Sequence, residues 1–229
     1  MFDKTARYYD VIYSGKDYAA EAWELVSIIR GEAPDAKTIL DTACGTAEHD
    51  KYLSQIFHVD GIDLQPESLE VAREKNPAGT YTVADMSDFD LGRTYDAVLC
   101  LFSSIGYLTE PEKVVSALKC FNAHLAPGGV VLIEPWFTPE QWISGTQHMQ
   151  IVDLPDLKIC RMNLSEVDGR LSKVHFHYLI GTPEGVRHVE EDHNLTLYTR
   201  GEMMSFFDAA GLAVKFREIR RGMYVAKRA

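Results

Sequence analysis

The sequence predicts an α/β protein, built on a doubly wound, mostly parallel sheet with an antiparallel β layer over the active-site end. Three observations carry this. Strand-like and helical runs alternate from Thr38 to Glu134, a glycine turn "DTACGTAEHD" follows the first strand, and beyond "EPWF" come alternating runs joined at Asp168-Gly169, a strong hairpin signal.

The elements follow in order. "KDYAAEAWELVSIIR" places Tyr18, Ala22, Leu25 and Ile29 on one helical stripe, and "GEAPDAK" breaks it. The first strand covers Thr38 to Asp41. "VDGID", "TYTVAD", "YDAVLCL" and "GVVLIE" read as further strands, with helices at "PESLEVAREK" and "EPEKVVSALKCFNAHL". Met149 to Thr199 reads as the antiparallel layer, with the hairpin "KICRMNLSEVDGRLSKVHFHYLIG" extended by "VRHVEEDHNLTLYT". "RGEMMSFFDAAGL" is a helix ended by Gly211, and "AVKFREI" with "GMYVA" supplies closing strands.

A chain of 229 residues at 46% hydrophobic composition can bury a full core, and one domain with an elaborated end is expected. The net charge of -11 argues against a general nucleic-acid binder, so an acidic ligand must meet local arginines instead. Cys44, Cys100, Cys120 and Cys160 lie far apart with no C-x-x-C pair, which reads as reduced thiols in a cytoplasmic protein. "MFDKTARYYD" lacks a basic region followed by an apolar run, and no stretch approaches ~20 apolar residues, so neither export nor membrane insertion is expected.

In an open parallel sheet, ligands bind outside the carboxyl ends of the strands. Gly45 lets the backbone approach a ligand at the N-terminus of the helix expected to follow, with Ala43 and Ala47 the next smallest residues. Asp63, at the end of "VDGID", stands where a carboxylate accepts both ribose hydroxyls. The dinucleotide fingerprint G-x-G-x-x-G is missing. Glu48 and Asp50 are expected near the place of a pyrophosphate, where their charge suits a cationic cofactor instead.

The set "DTACGTAEHD", "GIDL", "ADM" and "YDAVLCLFSSIGYL", in that order, resembles the class I S-adenosylmethionine-dependent methyltransferases, whose fold is Rossmann-like. The resemblance implies S-adenosylmethionine as cofactor. It sets Ala43 and Gly45 against the methionine part, Asp63 on the ribose, Asp85 on the adenine amino group and Met86 against its ring. Ala47 departs from a commoner glycine. "GKDYAAEA", "FSSIGYL", "PGGVVLIEPWF", "VHFHYL", "HNLTLYTR" and "RRGMY" are similar to the bacterial N,N-dimethyltransferases of dTDP-linked amino-deoxysugars, of the desosamine and mycaminose type. That similarity implies Tyr9 and Tyr18 covering the cofactor, Leu101 beneath the adenine and Tyr107 beside the acceptor nitrogen. Trp136 would wall the sugar pocket, and Arg161 and Arg221 would hold the diphosphate. One domain, 1–229, then divides into an N-terminal helical cover (1–37), a cofactor-binding core (38–136), an antiparallel substrate layer (149–199) and a closing helix and strands (200–229).

Plainer readings stand beside these. Tyr107 and Trp136 are also suited to a core edge, Asp85 to a cap, and Arg161 to solvent as well as to a pocket. His175 and His177 share a strand face and with His193 offer three imidazoles, but no carboxylate pattern supports a metal and none is expected. The histidines, His177 among them, are read as lining a sugar pocket. A neutral amine already carries the lone pair for attack on a sulfonium methyl, whereas an alcohol needs a base or metal, which favours N-methylation. The alternatives are an N- or O-methyltransferase of another small metabolite and a non-catalytic cofactor-binding module. The oligomeric state stays open between monomer and homodimer.

Overall fold

The computed structural model describes residues 6–229, so the first five positions of the expected N-terminal cover lie outside the described residues. After a short 3-10 turn, α1 (Tyr9–Ile12) leads into α2 (Tyr18–Glu32), which starts where the Asp17 side chain accepts the Ala20 amide at 2.9 Å. The stripe expected from the sequence is the buried one: Tyr18, Ala22, Leu25 and Ile29 all face inward.

The first sheet takes β1 (Thr38–Thr42), β2 (His58–Asp63), β3 (Tyr81–Val83), β4 (Tyr95–Cys100) and β5 (Leu125–Ile133) in parallel. Two C-terminal strands, β10 (Leu212–Arg217) and β11 (Met223–Arg228), complete it in the order β10-β11-β5-β4-β1-β2-β3, with β11 antiparallel to both its neighbours. The chain runs outward from β1 through β2 to β3, then returns to the other side of β1 for β4 and β5. The carboxyl ends of β1 and β4 therefore flank the crevice where a doubly wound sheet binds its ligand.

Helices cover both faces of this sheet. Val98 and Cys100 of β4 face a core shared with α5 (Pro111–Ala123) and α6 (Arg200–Ala209), while Ala97, Leu99 and Leu101 face one shared with α2. Burial on both sides explains the unbroken apolar run "AVLCL", since neither face needs a polar residue. Pro66 opens α4 (Pro66–Lys75), where its missing amide costs nothing, and a capping box between Thr199 and Glu202 opens α6.

The second sheet is an antiparallel meander of β6 (Gln147–Leu154), β7 (Leu157–Asp168), β8 (Leu171–Thr182) and β9 (Gly185–Thr196). Asp168 still pairs with Leu171, so the β7–β8 turn is Gly169-Arg170, one residue later than the Asp168-Gly169 reading, with Gly169 supplying the positive φ of 58°. One face of this sheet, including Arg161, Asn163, Phe176, His193 and Leu195, turns toward the carboxyl ends of the first. Ile12 and the Tyr8 hydroxyl tie the N-terminal segment to it, through Gln150 and Arg187 respectively. No helix among the described residues is long and apolar enough to cross a membrane.

Candidate active site

The turn after β1 is held in an unusual conformation. Ala43, Gly45 and Ala47 all take positive φ, at 60°, 55° and 60°. For the two alanines this costs about 1–2 kcal/mol each, a strain that surrounding contacts must offset. Ala47 occupies a left-handed position that glycine would take without strain, buried against Leu69, Ala72 and Tyr81. A Cβ built on Gly45 would meet no protein atom within 4 Å, so that side of the turn opens on free space.

The Gly45 amide donates to Asp63 Oδ2 at 2.8 Å, and the Gln65 amide donates to Oδ1 at 2.9 Å. Burial raises the Asp63 pKa, while the amides of Gln65, Gly45 and Leu64 oppose that shift. Asp63 is thus fixed at the end of β2, with each oxygen retaining acceptor capacity.

Two expectations about this turn need correction. The next helix, α3 (Asp50–Leu53), starts five residues after Gly45 and has a single turn, so the turn is not a helix N-terminus. Glu48 and Asp50 do not line the cavity either. Glu48 pairs with Lys75, and Asp50 is buried beneath the turn, where it accepts the Tyr81 hydroxyl at 2.9 Å. Asp41 lies beside it. Burial raises the pKa of both carboxyls, the neighbouring Asp50 raises Asp41 further, and hydrogen bonds from Tyr81 and Asp41 limit Asp50 to about 6.

A cavity of about 530 Å³ lies between the two sheets. Ala43, Gly45, Asp63, Ala84, Met86 and Phe102, from the carboxyl ends of four parallel strands, form its first end, with Tyr9 and Tyr13 from the N-terminal segment. Three expected cofactor residues are absent from its wall. Leu101 faces the core under α2, opposite to the cavity side of β4. Asp85 accepts both the amide and the hydroxyl of Ser87 on Oδ1, each at 2.8 Å, which folds its carboxylate back on the chain. Tyr18 is buried edge-on to His49, with ring centroids 4.9 Å apart, behind Tyr9.

Phe102 and Ser103, directly after β4, both take positive φ, at 51° and 67°. "EPWF" holds them there: Glu134 Oε2 accepts the Phe102 amide at 2.9 Å, and the Pro135 carbonyl accepts the Ser103 hydroxyl at 2.7 Å. The following 3-10 turn, Ser104–Tyr107, packs tightly at Gly106, where a Cβ would stand 3.0 Å from Trp136 Cβ and 3.2 Å from Leu195 and push those neighbours back by a few tenths of an ångström. This close approach delivers Tyr107 to the second sheet. Its hydroxyl meets His193 Nδ1 at 2.5 Å, and burial raises the Tyr107 pKa while lowering that of His193.

Tyr107, Trp136, Arg161 and Arg221 all line the cavity. Arg161 donates to Gln150 Oε1 at 2.6 Å and to the Tyr13 hydroxyl at 3.0 Å, with its guanidinium 5.0 Å from the Phe176 ring. Arg221 stands 5.6 Å from the Trp136 ring and 3.8 Å from Glu134. His177 is not in the wall: β8 alternates, so Val174 and Phe176 face the cavity while His175, half-buried, and His177, exposed, lie on the far side. There His177 meets His188 at 3.2 Å and Glu190 at 3.4 Å, apart from His193. Tyr13, Phe102, Trp142 and His148 join the wall without a sequence expectation to place them there, and of the histidines read as lining a sugar pocket His193 is in it. Tyr13 sits one helical turn after Tyr9, which is the signal that finds it.

Residues 39–129 match the family described as "Methyltransferase domain". The chain is 40% identical over 92% of its length, and 84% of the relative's, to a dTDP-3-amino-3,6-dideoxy-alpha-D-glucopyranose N,N-dimethyltransferase of Streptomyces fradiae. Its fold superposes on the crystal structure of Streptomyces venezuelae DesVI with a TM-score of 0.93, at 37% identity and 98% coverage of both chains. A second solved structure, SAM-bound CalS10 from Micromonospora echinaspora, an amino pentose methyltransferase, gives 0.86 at 35% identity, covering 94% of this chain and 93% of that one.

Proposed function

The chain belongs to the dTDP-amino-deoxysugar N,N-dimethyltransferases, a branch of the S-adenosylmethionine-dependent methyltransferases, and we propose that its own acceptor is a dTDP-linked amino-deoxysugar methylated twice on one amine. The observation that carries this is one cavity holding the strained turn and Asp63 together with Arg161, Arg221, Trp136 and Tyr107. Walls drawn from Tyr9 to Arg221 support reading the whole chain as one catalytic unit.

S-adenosylmethionine supplies a methyl group activated by its positive sulfur. The residues present suit it: open space beside Gly45 for the methionine part, Asp63 for the ribose hydroxyls, and Ala84 and Met86 as an apolar slot for the adenine. Asp85, folded onto Ser87, is left out of this assignment. Arg161 and Arg221 suit phosphate oxygens, which a guanidinium grips with two parallel hydrogen bonds, and Trp136 suits a sugar face. Tyr107 orients the amine, so that proximity does most of the work. A cytoplasmic location is supported by four free cysteines.

The test is incubation with labelled cofactor and nucleotide-linked 3-amino and 4-amino sugars, alongside the same sugars without the nucleotide. Transfer of two methyl groups to a nucleotide-linked acceptor, with weak use of the free sugar, is expected. Equal use of the free sugar would overturn the nucleotide-sugar reading and leave another small amine or alcohol as acceptor.

A further inference from the structure

An amino sugar in neutral water is largely an ammonium ion, which has no lone pair. It must lose one proton before the first methyl transfer and another before the second. Tyr107 alone cannot absorb that proton, because a buried phenol whose pKa is raised stays protonated. The structure places a base behind it. His193 Nδ1 lies 2.5 Å from the Tyr107 oxygen, and its Nε2 faces Glu191 Oε2 at 3.8 Å. Both His193 and Glu191 are buried, on adjacent inward-facing positions of β9, and His193 borders the cavity.

We propose that His193, positioned by Glu191, takes the acceptor nitrogen's proton through Tyr107, and that both methyl transfers at neutral pH depend on this relay. This rests on the amine reading above.

The proton moves in concert. The ammonium N–H electrons stay on nitrogen as its proton passes to the Tyr107 oxygen, and the Tyr107 hydroxyl proton passes to His193 Nδ1. The products are a neutral amine, an unchanged phenol and an imidazolium. Nitrogen then forms its bond to the methyl carbon while the carbon–sulfur bond breaks, leaving its electron pair on sulfur. The new nitrogen is again an ammonium, so the cycle repeats once His193 has released its proton to water entering the open cavity. Glu191 sets the direction: a carboxylate facing Nε2 favours the tautomer with hydrogen there, leaving Nδ1 as the acceptor toward Tyr107.

The groups around the ring fit this use. Burial lowers the His193 pKa, Glu191 opposes that shift, and Arg161 on β7 adds to it. Phe176 of β8 packs edge-on at 5.1 Å, and Tyr107 meets Nδ1. The resting ring is therefore neutral near pH 7 and able to accept a proton.

The test is turnover of His193→Gln and Glu191→Gln, with whichever amine the wild type accepts, from pH 6.5 to 9.5. Calorimetric cofactor binding serves as the control for folding. At neutral pH His193→Gln should lose about 10²-fold in kcat with cofactor affinity unchanged, and the deficit should shrink as the amine deprotonates by itself. Glu191→Gln should show a smaller loss with the same recovery. In the wild-type protein without ligands, nitrogen NMR should place the His193 proton on Nε2. A wild-type rate in His193→Gln, a deficit constant across pH in a variant that binds cofactor, or a proton on Nδ1 would each overturn the relay. Failure of the nucleotide-sugar reading would show separately, as absence of wild-type activity on that acceptor.

Discussion

Asp63 accepts the Gly45 amide at 2.8 Å, so the carboxylate at the end of β2 is locked to the strained turn at the end of β1. One side chain thus shapes the turn and, on the proposed reading, also holds the ribose. Asp63→Ala should weaken S-adenosylmethionine binding by more than 10²-fold, since each charge-assisted hydrogen bond lost contributes about 1.5–3 kcal/mol. Calorimetry checks this, and unchanged affinity would remove Asp63 from the cofactor site.

Tyr107 should matter to turnover and little to cofactor affinity. Tyr107→Phe keeps the ring beside His193 but deletes the hydroxyl that meets its Nδ1. A fall in kcat of about 10²–10⁴-fold is expected near neutral pH. A wild-type rate would reduce Tyr107 to a packing residue.

The arginines should act on the acceptor. Arg221→Ala is expected to raise acceptor KM and to reduce its salt sensitivity, because fewer fixed charges face the phosphates. Arg161→Ala should do the same with an additional cost, since it also releases Tyr13 and Gln150. If neither variant changes acceptor KM, the phosphates lie elsewhere.

Asp50 should make stability depend on pH. Its folded pKa of about 6 lies above its unfolded value, so its contribution is fully present below about pH 4 and lost as pH rises through about 6. Asp50→Asn keeps an acceptor for Tyr81 and removes the charge. Its melting temperature relative to wild type should therefore climb between pH 4 and 7, by roughly 2–4 °C per kcal/mol. Parallel curves for the two proteins would contradict the buried-carboxylate account.

Much of this arrangement could be read from residues, and the failures share a cause. The α2 stripe and the Pro66 start of α4 were legible because one side of each helix is polar and helical spacing separates the two sides. "AVLCL" offers no such contrast, so the sequence did not show that Leu101 faces away from the cofactor end. In "VHFHYL" the alternation was visible but the parity was misread: the apolar Val174, Phe176 and Tyr178 turn inward and the histidines outward. The Asp85 fold-back was foreshadowed by Ser87 two residues later, a short-range turn that competes for the carboxylate. The pairing of Tyr107 with His193 spans 86 positions and depends on how closely Gly106 lets two sheets approach, which no local pattern encodes.

The N-terminal segment borders both ends of the cavity at once: Tyr9 and Tyr13 stand with Gly45 and Asp63 at the proposed cofactor end, while Tyr13 holds Arg161 and Ile12 holds Gln150 on the proposed acceptor side. Exchanging spent cofactor by lifting this segment would therefore loosen the acceptor wall in the same movement. Two methylations on one enzyme then become two separate visits. The singly methylated sugar should accumulate free in solution early in the reaction, and added unlabelled intermediate should dilute the label that reaches the final product. A time course showing only the doubly methylated sugar would mean that the cofactor leaves by another route.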